Sequence, residues 1–141
     1  MKIMLVIFLI FFNISCFSKE SLIQERITFF KKSEKSLTKI NKLLITKNYE
    51  EIINEARIIN DWSILIPSFF PEGTQATITN DSDASSDIWM NFDDFTKKAK
   101  KTEYYSLQII NSALKNNFDG IKIALNKTSA SCTSCHRSFR N

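Results

Sequence analysis

Apolar residues recur every three or four positions along most of this chain, a spacing that predicts amphipathic α-helices. The first such helix covers about residues 21–45, with lysines between its apolar positions. Asn48 is a candidate cap for a second helix, with Glu51 as its capping-box partner, and Pro67 should end that helix. The first half of the chain therefore predicts two helices joined by a short turn.

A turn-rich stretch, residues 67–87, separates these helices from the second half of the chain. It has no sustained period, so we expect one long loop, whose two adjacent phenylalanines pack against the helices because exposed aromatic rings are poorly tolerated in water. A third helix is predicted over about residues 89–116. Asn117 or Asp119 should begin a fourth.

The composition also favours a helical fold. The 141 residues include only two glycines and two prolines, and 43% of them are hydrophobic, as is ordinary for a globular protein of one domain. Few helix breakers, with short connections on either side of one long loop, predict an all-α protein. We expect an antiparallel up-down four-helix bundle, a fold that can hold a cofactor between facing helices.

The end of the chain carries the candidate chemistry, in the motif Cys132-Thr133-Ser134-Cys135-His136. In such a sequence the two thiols can attach covalently to the vinyl groups of a haem, and the imidazole can bind its iron. Cys132 and His136 are four residues apart and share a helix face, and both cysteines continue the apolar stripe of the fourth helix. We therefore predict one covalent haem c, held by Cys132 and Cys135, with His136 as the axial iron ligand and the motif facing the core.

Two other interpretations of the cysteine pair are a thioredoxin-type redox site and a structural zinc site. The first needs a strand-helix-strand setting, whereas this pair ends a helical chain. The second needs four ligands, whereas the chain has one histidine and one further cysteine, Cys16. Either alternative would make this a colourless, non-haem redox or metal-binding protein.

The first 18 residues are typical of a secretory signal peptide. Lys2 is followed by an apolar run of about ten residues, which is too short for an ordinary membrane span, and small residues permit cleavage after Ser18. A lipoprotein anchored through Cys16 is a weaker alternative. We expect a cleaved leader, residues 1–18, a single domain over residues 19–141, and a periplasmic location, which suits a haem attached outside the cytoplasm.

The charge of the chain is mildly basic. The net charge is +4 for the whole sequence and about +3 without the predicted leader. The chain has no arginine-rich cluster and no alternation of aromatic and basic residues, which are the patterns typical of nucleic-acid binding. We therefore expect no nucleic-acid partner.

Several motifs, in order, resemble those of the cytochrome c′ family. A tryptophan near the end of the second helix is followed by a Phe-Pro-x-Gly-Thr loop, then by an acidic-Ile-Trp start to the third helix, and the haem motif has an arginine four residues after its histidine. The corresponding residues are Trp62, Phe70-Pro71-Glu72-Gly73-Thr74, Asp87-Ile88-Trp89 and His136-Arg137-Ser138-Phe139-Arg140. The resemblance covers essentially the whole predicted domain and implies a four-helix bundle with one haem.

This resemblance also implies further residues of the haem pocket. By position, Arg26 matches a first-helix arginine near the haem, with an ordinary solvated arginine as its alternative. Phe30 matches the residue that faces the open side of the iron, with plain core packing as its alternative. Asp87 and Ser86 would lie by the haem edge, although a helix cap explains them equally well. Arg140 would lie near His136 on the proximal side, with fraying of the chain end as its alternative.

The resemblance implies NO or CO binding, electron transfer with an unidentified partner, or both, rather than enzyme catalysis. Phe30 cannot bind iron, and once the leader is removed Met90 is the single methionine left, outside the matching position. The alternative is a low-spin electron carrier whose sixth ligand is Met90 or a lysine. Relatives often form homodimers through the first two helices, where the lysine-rich run 31–35 either opposes such a contact or faces solvent.

Overall fold

The computed structural model describes residues 18–141, which form an antiparallel four-helix bundle with one additional short helix. This confirms the predicted all-α fold. The predicted leader lies outside the described residues, apart from Ser18. Within the described part of the chain, no helix is long and apolar enough to cross a membrane. The α-helices are α1 (Lys19–Thr46), α2 (Tyr49–Leu65), α3 (Asp87–Met90), α4 (Phe92–Leu114) and α5 (Phe118–Phe139).

Side-chain caps fix where three of these helices begin. Ser18 accepts a hydrogen bond from the Ser21 amide at the start of α1. Asn48 accepts from the Glu51 amide at 3.1 Å, as predicted for α2. Asn117, rather than Asp119, caps α5. Each cap satisfies an amide that has no partner within its own helix.

The predicted third helix is two helices, because the backbone turns at Asn91. Asn91 adopts φ −131° and ψ 43°, outside the helical region, and its side-chain amide donates to the Asp87 carbonyl at 3.3 Å. The apolar spacing continues across the turn, so periodicity alone did not reveal it. By contrast, Pro67 ends α2 as predicted, and a 3₁₀ turn over Ile66–Phe69 follows.

Each long helix packs mainly on one or two others. α1 lies against α2, α2 against α4, and α4 against α5, whereas α1 touches α5 only slightly. The first and last helices are therefore the least closely packed neighbours in the bundle, at the side where the haem motif lies.

The contact between α1 and α2 includes a partly buried polar pair. Ser36 donates a hydrogen bond to Glu55 at 2.7 Å, and Lys39 donates to the same carboxylate at 2.9 Å. Burial raises the pKa of Glu55, but these two hydrogen bonds and the positive charges of Lys39 and Lys32 together outweigh it, so the pKa lies below its ordinary value.

The core has an aliphatic end and an aromatic end. The aliphatic end lies near the α1–α2 and α4–α5 turns and includes Ile40, Ile52, Ile59, Ile109, Ile121 and Leu125. The aromatic end contains the haem motif and includes Trp62, Phe70, Phe95 and Phe139, with Phe29, Phe30, Phe69, Trp89 and Cys135 packed against them. The two adjacent phenylalanines at the start of the loop do pack against the bundle, and Phe70 is only 6% exposed.

The long loop is fastened to the end of the chain. Ala84 and Arg140 form an antiparallel bridge, the Ser85 amide donates to the Phe139 carbonyl, and the Asn141 amide donates to the Asp83 carbonyl at 2.9 Å. Earlier in the loop, Gly73 adopts φ +80°, a conformation that favours glycine. These features hold the loop over the aromatic end of the bundle.

Candidate functional site

The haem motif occupies the last turns of α5, with its side chains half-buried or exposed. Cys132 and Cys135 are half-buried and form no disulfide, and His136 is more exposed. Burial raises the pKa of Cys132, and raises that of Cys135 to about 11, so both are neutral thiols at pH 7. A thiol–disulfide redox site requires the opposite shift, so this arrangement disfavours the thioredoxin-type interpretation.

The imidazole of His136 is in a suitable state to bind a metal. Burial lowers its pKa, and the nearby positive charge of Arg140 lowers it further, which favours the neutral ring. In the described residues no three His, Cys, Asp or Glu side chains gather as a metal-binding group, so the arrangement also disfavours the zinc interpretation.

Phe30 of α1 faces His136 across the aromatic end. The two ring centroids are 6.0 Å apart and the ring planes are inclined by 70°. Phe30 also contacts the Trp62 ring, with centroids 5.0 Å apart. The side chain opposite the imidazole is therefore a hydrocarbon ring. Met90, the candidate sulfur ligand, is 69% exposed.

Arg26 is buried under the long loop, with 2% of its surface exposed. Its guanidinium donates to the Phe69 carbonyl at 3.2 Å, to the Thr74 hydroxyl at 2.8 Å and to the Thr74 carbonyl at 2.5 Å, and also to the hydroxyl of Ser82. It lies 4.3 Å from the centre of the Phe70 ring. Arg26 thus organises the loop, a role that the sequence did not indicate.

The charge of Arg26 has no carboxylate partner among residues 18–141. Burial lowers the pKa of its guanidinium to about 10, which still leaves it protonated at neutral pH. Buried cations are usually paired with an anion. Arg26 could therefore also accept an anionic group of a cofactor.

Ser86 and Asp87, predicted at the haem edge, are both exposed at the start of α3. The Ser86 side chain makes no capping hydrogen bond. Instead, the hydroxyl of Ser85 accepts from the Asp87 amide at 3.2 Å. The cap-like contact therefore belongs to Ser85 and not to Ser86.

Arg140 is held in place rather than frayed. Its Nε and Nη2 atoms donate to Oδ2 of Asp83 at 3.1 and 2.7 Å, and its amide donates to the His136 carbonyl. Asp83 was missed because it lies 57 residues away in the chain.

Several features of the aromatic end fit a haem. The buried Trp62 Nε1 has no hydrogen-bond partner in the described part of the chain, although buried donors nearly always have one. Arg26 supplies a buried cation without a carboxylate, and α1 and α5 are loosely packed where His136 faces Phe30. A flat apolar group with anionic substituents suits this combination of rings, donors and charge.

The family model described as Cytochrome C' matches residues 21–140. The chain belongs to the cytochrome c′ family. One similar relative is cytochrome c-554 of Cereibacter sphaeroides, 31% identical over 78 residues, which are 55% of this chain and 58% of the relative. The alignment thus spans little more than half the length of that relative.

Solved structures share the bundle at low sequence identity. Cytochrome c′ from Thermochromatium tepidum superimposes with a TM-score of 0.79 at 19% identity, covering 87% of this chain and 97% of that one. A nitric oxide complex of a mutant cytochrome c prime from Alcaligenes xylosoxidans gives 0.76 at 18% identity, covering 88% and 97%. These likenesses support the fold. Family membership implies a haem c cofactor.

Proposed function

We propose that this protein is an exported, periplasmic c-type cytochrome that carries one covalent haem and binds NO or CO at an open coordination site. Cys132 and Cys135 attach the cofactor, and His136 is the axial ligand. The observation that carries the proposal is the identity of the side chain that faces His136, the phenyl ring of Phe30 on α1. A phenyl ring has no lone pair to donate to iron, so Phe30 would not fill the coordination position opposite His136.

When bound, haem supplies an iron centre that can accept one electron or one diatomic ligand. The surrounding side chains select the ligand. Hydrogen bonds stabilise bound O2, but Phe30 presents hydrocarbon and no hydrogen-bond donor. The pocket therefore disfavours O2 relative to uncharged NO or CO. Arg26, Ser86, Asp87 and Arg140 stay predicted as residues of the pocket edge.

The positions of the histidine and of Met90 also support an open site. The chain has one histidine, which is the proposed axial ligand, and Met90 is largely exposed on α3. The nitric oxide complex of the Alcaligenes xylosoxidans protein supports NO as the ligand class. Export through the leader at residues 1–18 and formation of a homodimer remain parts of the proposal that need their own tests.

The test is the visible spectrum of the reduced protein, produced in cells that mature c-type haem, before and after addition of CO. We expect broad high-spin bands that sharpen and shift with CO. Sharp low-spin bands that CO does not move would overturn the proposal and establish the electron-carrier alternative. In wild type the haem should stay with the chain after denaturation, because it is covalently attached. A double variant with Cys132→Ser and Cys135→Ser should lose it.

A further inference from the structure

A shallow groove between α4 and α5 runs beside the haem motif. Its α4 side carries Asp94, Lys97, Lys98 and Lys101, which recur at helical spacing along one face, and its α5 side carries Lys127 and Ser134. Under the groove, the Thr102 and Ser131 hydroxyls are hydrogen-bonded at 2.9 Å and join the two helices. The groove is therefore a formed surface feature with one strongly basic wall.

The positive charge of this groove is largely unopposed. Four lysines and one aspartate line it, a net of three positive charges on a chain whose net charge is +4. Within residues 18–141, only Lys98 of the four has a carboxylate within 4.0 Å, that of Asp94 at 4.0 Å. Charges so close together act as one patch, because the Debye length is about 8 Å at physiological ionic strength.

The groove borders the helix segment that would attach the haem. Lys98 Nζ lies 3.3 Å from the Ser134 hydroxyl, and Ser134 stands between the two cysteines in the sequence of the motif. A protein seated in the groove would therefore lie against the outer face of the segment that carries both cysteines. Electron transfer needs two redox centres close together and only a brief encounter. A small interface guided by charge meets both needs.

We propose that this basic groove is the docking surface for a redox protein with an acidic surface. The inference rests on the proposed haem function. In such a complex one electron would pass from the reduced partner, which is oxidised, to the ferric haem that Cys132, Cys135 and His136 would hold, which becomes ferrous. No covalent bond forms or breaks.

An acidic protein fits the groove better than an anionic membrane does. None of the groove residues is an exposed large apolar side chain that could enter lipid. The surface is also a groove between two helices rather than the flat face of one helix. Both features favour a partner that brings its own carboxylates to the lysines.

A second basic surface, on α1, is a matched control. It carries Lys31, Lys35 and Lys42, but its Lys39 is already paired with Glu51 and Glu55 at 2.6 and 2.9 Å. Lys35 and Lys42 are exposed and lie outside the α4–α5 groove. Replacing them by glutamate changes the net charge by the same amount as replacing two groove lysines.

The experiment compares the haem-loaded wild type with two double variants. The groove variant carries Lys97→Glu and Lys101→Glu, and the α1 variant carries Lys35→Glu and Lys42→Glu. A flavodoxin is the acidic one-electron probe. Binding of oxidised flavodoxin is followed by amide chemical shifts, and reduction by reduced flavodoxin is followed by stopped flow. We expect the groove variant to lose about tenfold in bimolecular rate at low ionic strength. Shifts in wild type should centre on the groove, and the α1 variant should change the rate less than twofold.

Equal rates for the two variants, or shifts centred on α1, would overturn the docking surface. Loss of binding to phosphatidylglycerol vesicles in the groove variant, with an unchanged flavodoxin rate, would overturn it in favour of a membrane. The CO spectrum of each variant tests the proposed function separately. A normal CO response with equal rates refutes the docking surface alone, whereas a closed sixth site with a slowed groove variant refutes the open-site function alone.

Discussion

Replacing Arg26 by alanine should destabilise the folded protein more than any comparable surface change. The side chain is 2% exposed and donates four hydrogen bonds to atoms of the loop and of the preceding turn. Without it the Phe69 carbonyl loses this partner and the loop loses its anchor to α1. The flat contact with the Phe70 ring is lost as well.

The magnitude follows from two opposing contributions. Hydrogen bonds from a charged donor contribute about 1.5–3 kcal/mol each, but burying a guanidinium without a carboxylate offsets several kcal/mol of that gain. We therefore expect Arg26→Ala to lower the free energy of unfolding by about 3 kcal/mol. Arg26→Lys keeps the charge but not the fork of donors, and should lose about half as much.

The assay is urea unfolding of the haem-loaded protein, followed by far-UV circular dichroism, with free energies from linear extrapolation. The control is Gln24→Ala. Gln24 also ties α1 to the loop, through a hydrogen bond to Asp81 at 2.8 Å, but this contact is exposed, so its loss should cost less than about 0.5 kcal/mol. Equal losses for Arg26→Ala and Gln24→Ala would refute the role of Arg26 as the buried anchor.

Three further changes test other parts of the structure. Phe30→Leu should speed CO association several-fold in flash photolysis, because a smaller side chain faces His136, whereas Phe29→Leu should leave the rate unchanged; equal rates would contradict the distal position. Glu55 has a lowered pKa, so its contribution is complete above about pH 4.5 and is lost as the pH falls through the folded-state value. Below about pH 4.5, the urea midpoint of wild type should therefore fall more steeply with falling pH than that of Glu55→Gln. Parallel plots of midpoint against pH would contradict the contribution of Glu55. Asp83→Asn breaks an exposed ion pair and should lower the free energy of unfolding by under about 1 kcal/mol. A larger loss in urea unfolding would contradict this prediction.

The helices could be predicted from sequence because their signals are local. The caps at Asn48 and Asn117 and the stop at Pro67 each act within a few residues of the position they define. The haem motif is local too, since little more than one turn of helix carries Cys132, Cys135 and His136. Such features are fixed by short-range geometry and read directly from the chain.

The arrangement of the loop could not be predicted, because it depends on distant partners. Arg26 reaches Thr74, and Asp83 reaches Arg140, across separations of 48 and 57 residues. An arginine on a helix has the same local pattern whether its guanidinium is solvated or buried. The turn at Asn91 was also missed, since asparagine occurs in helices as well as at their ends and the apolar period continues past it.

The two ends of the core differ in their buried polar groups. The aliphatic end is built of isoleucine, leucine and alanine, which need only exclusion from water and bring no unsatisfied polar atoms. The aromatic end contains the buried Trp62 Nε1 without a partner and the buried cation of Arg26 without a carboxylate. Those two groups are costly in a plain core, but each is a contact that a flat cofactor with anionic edges can make. The Trp62 Nε1 without a partner and the Arg26 charge without a carboxylate thus support the proposed cofactor at this end.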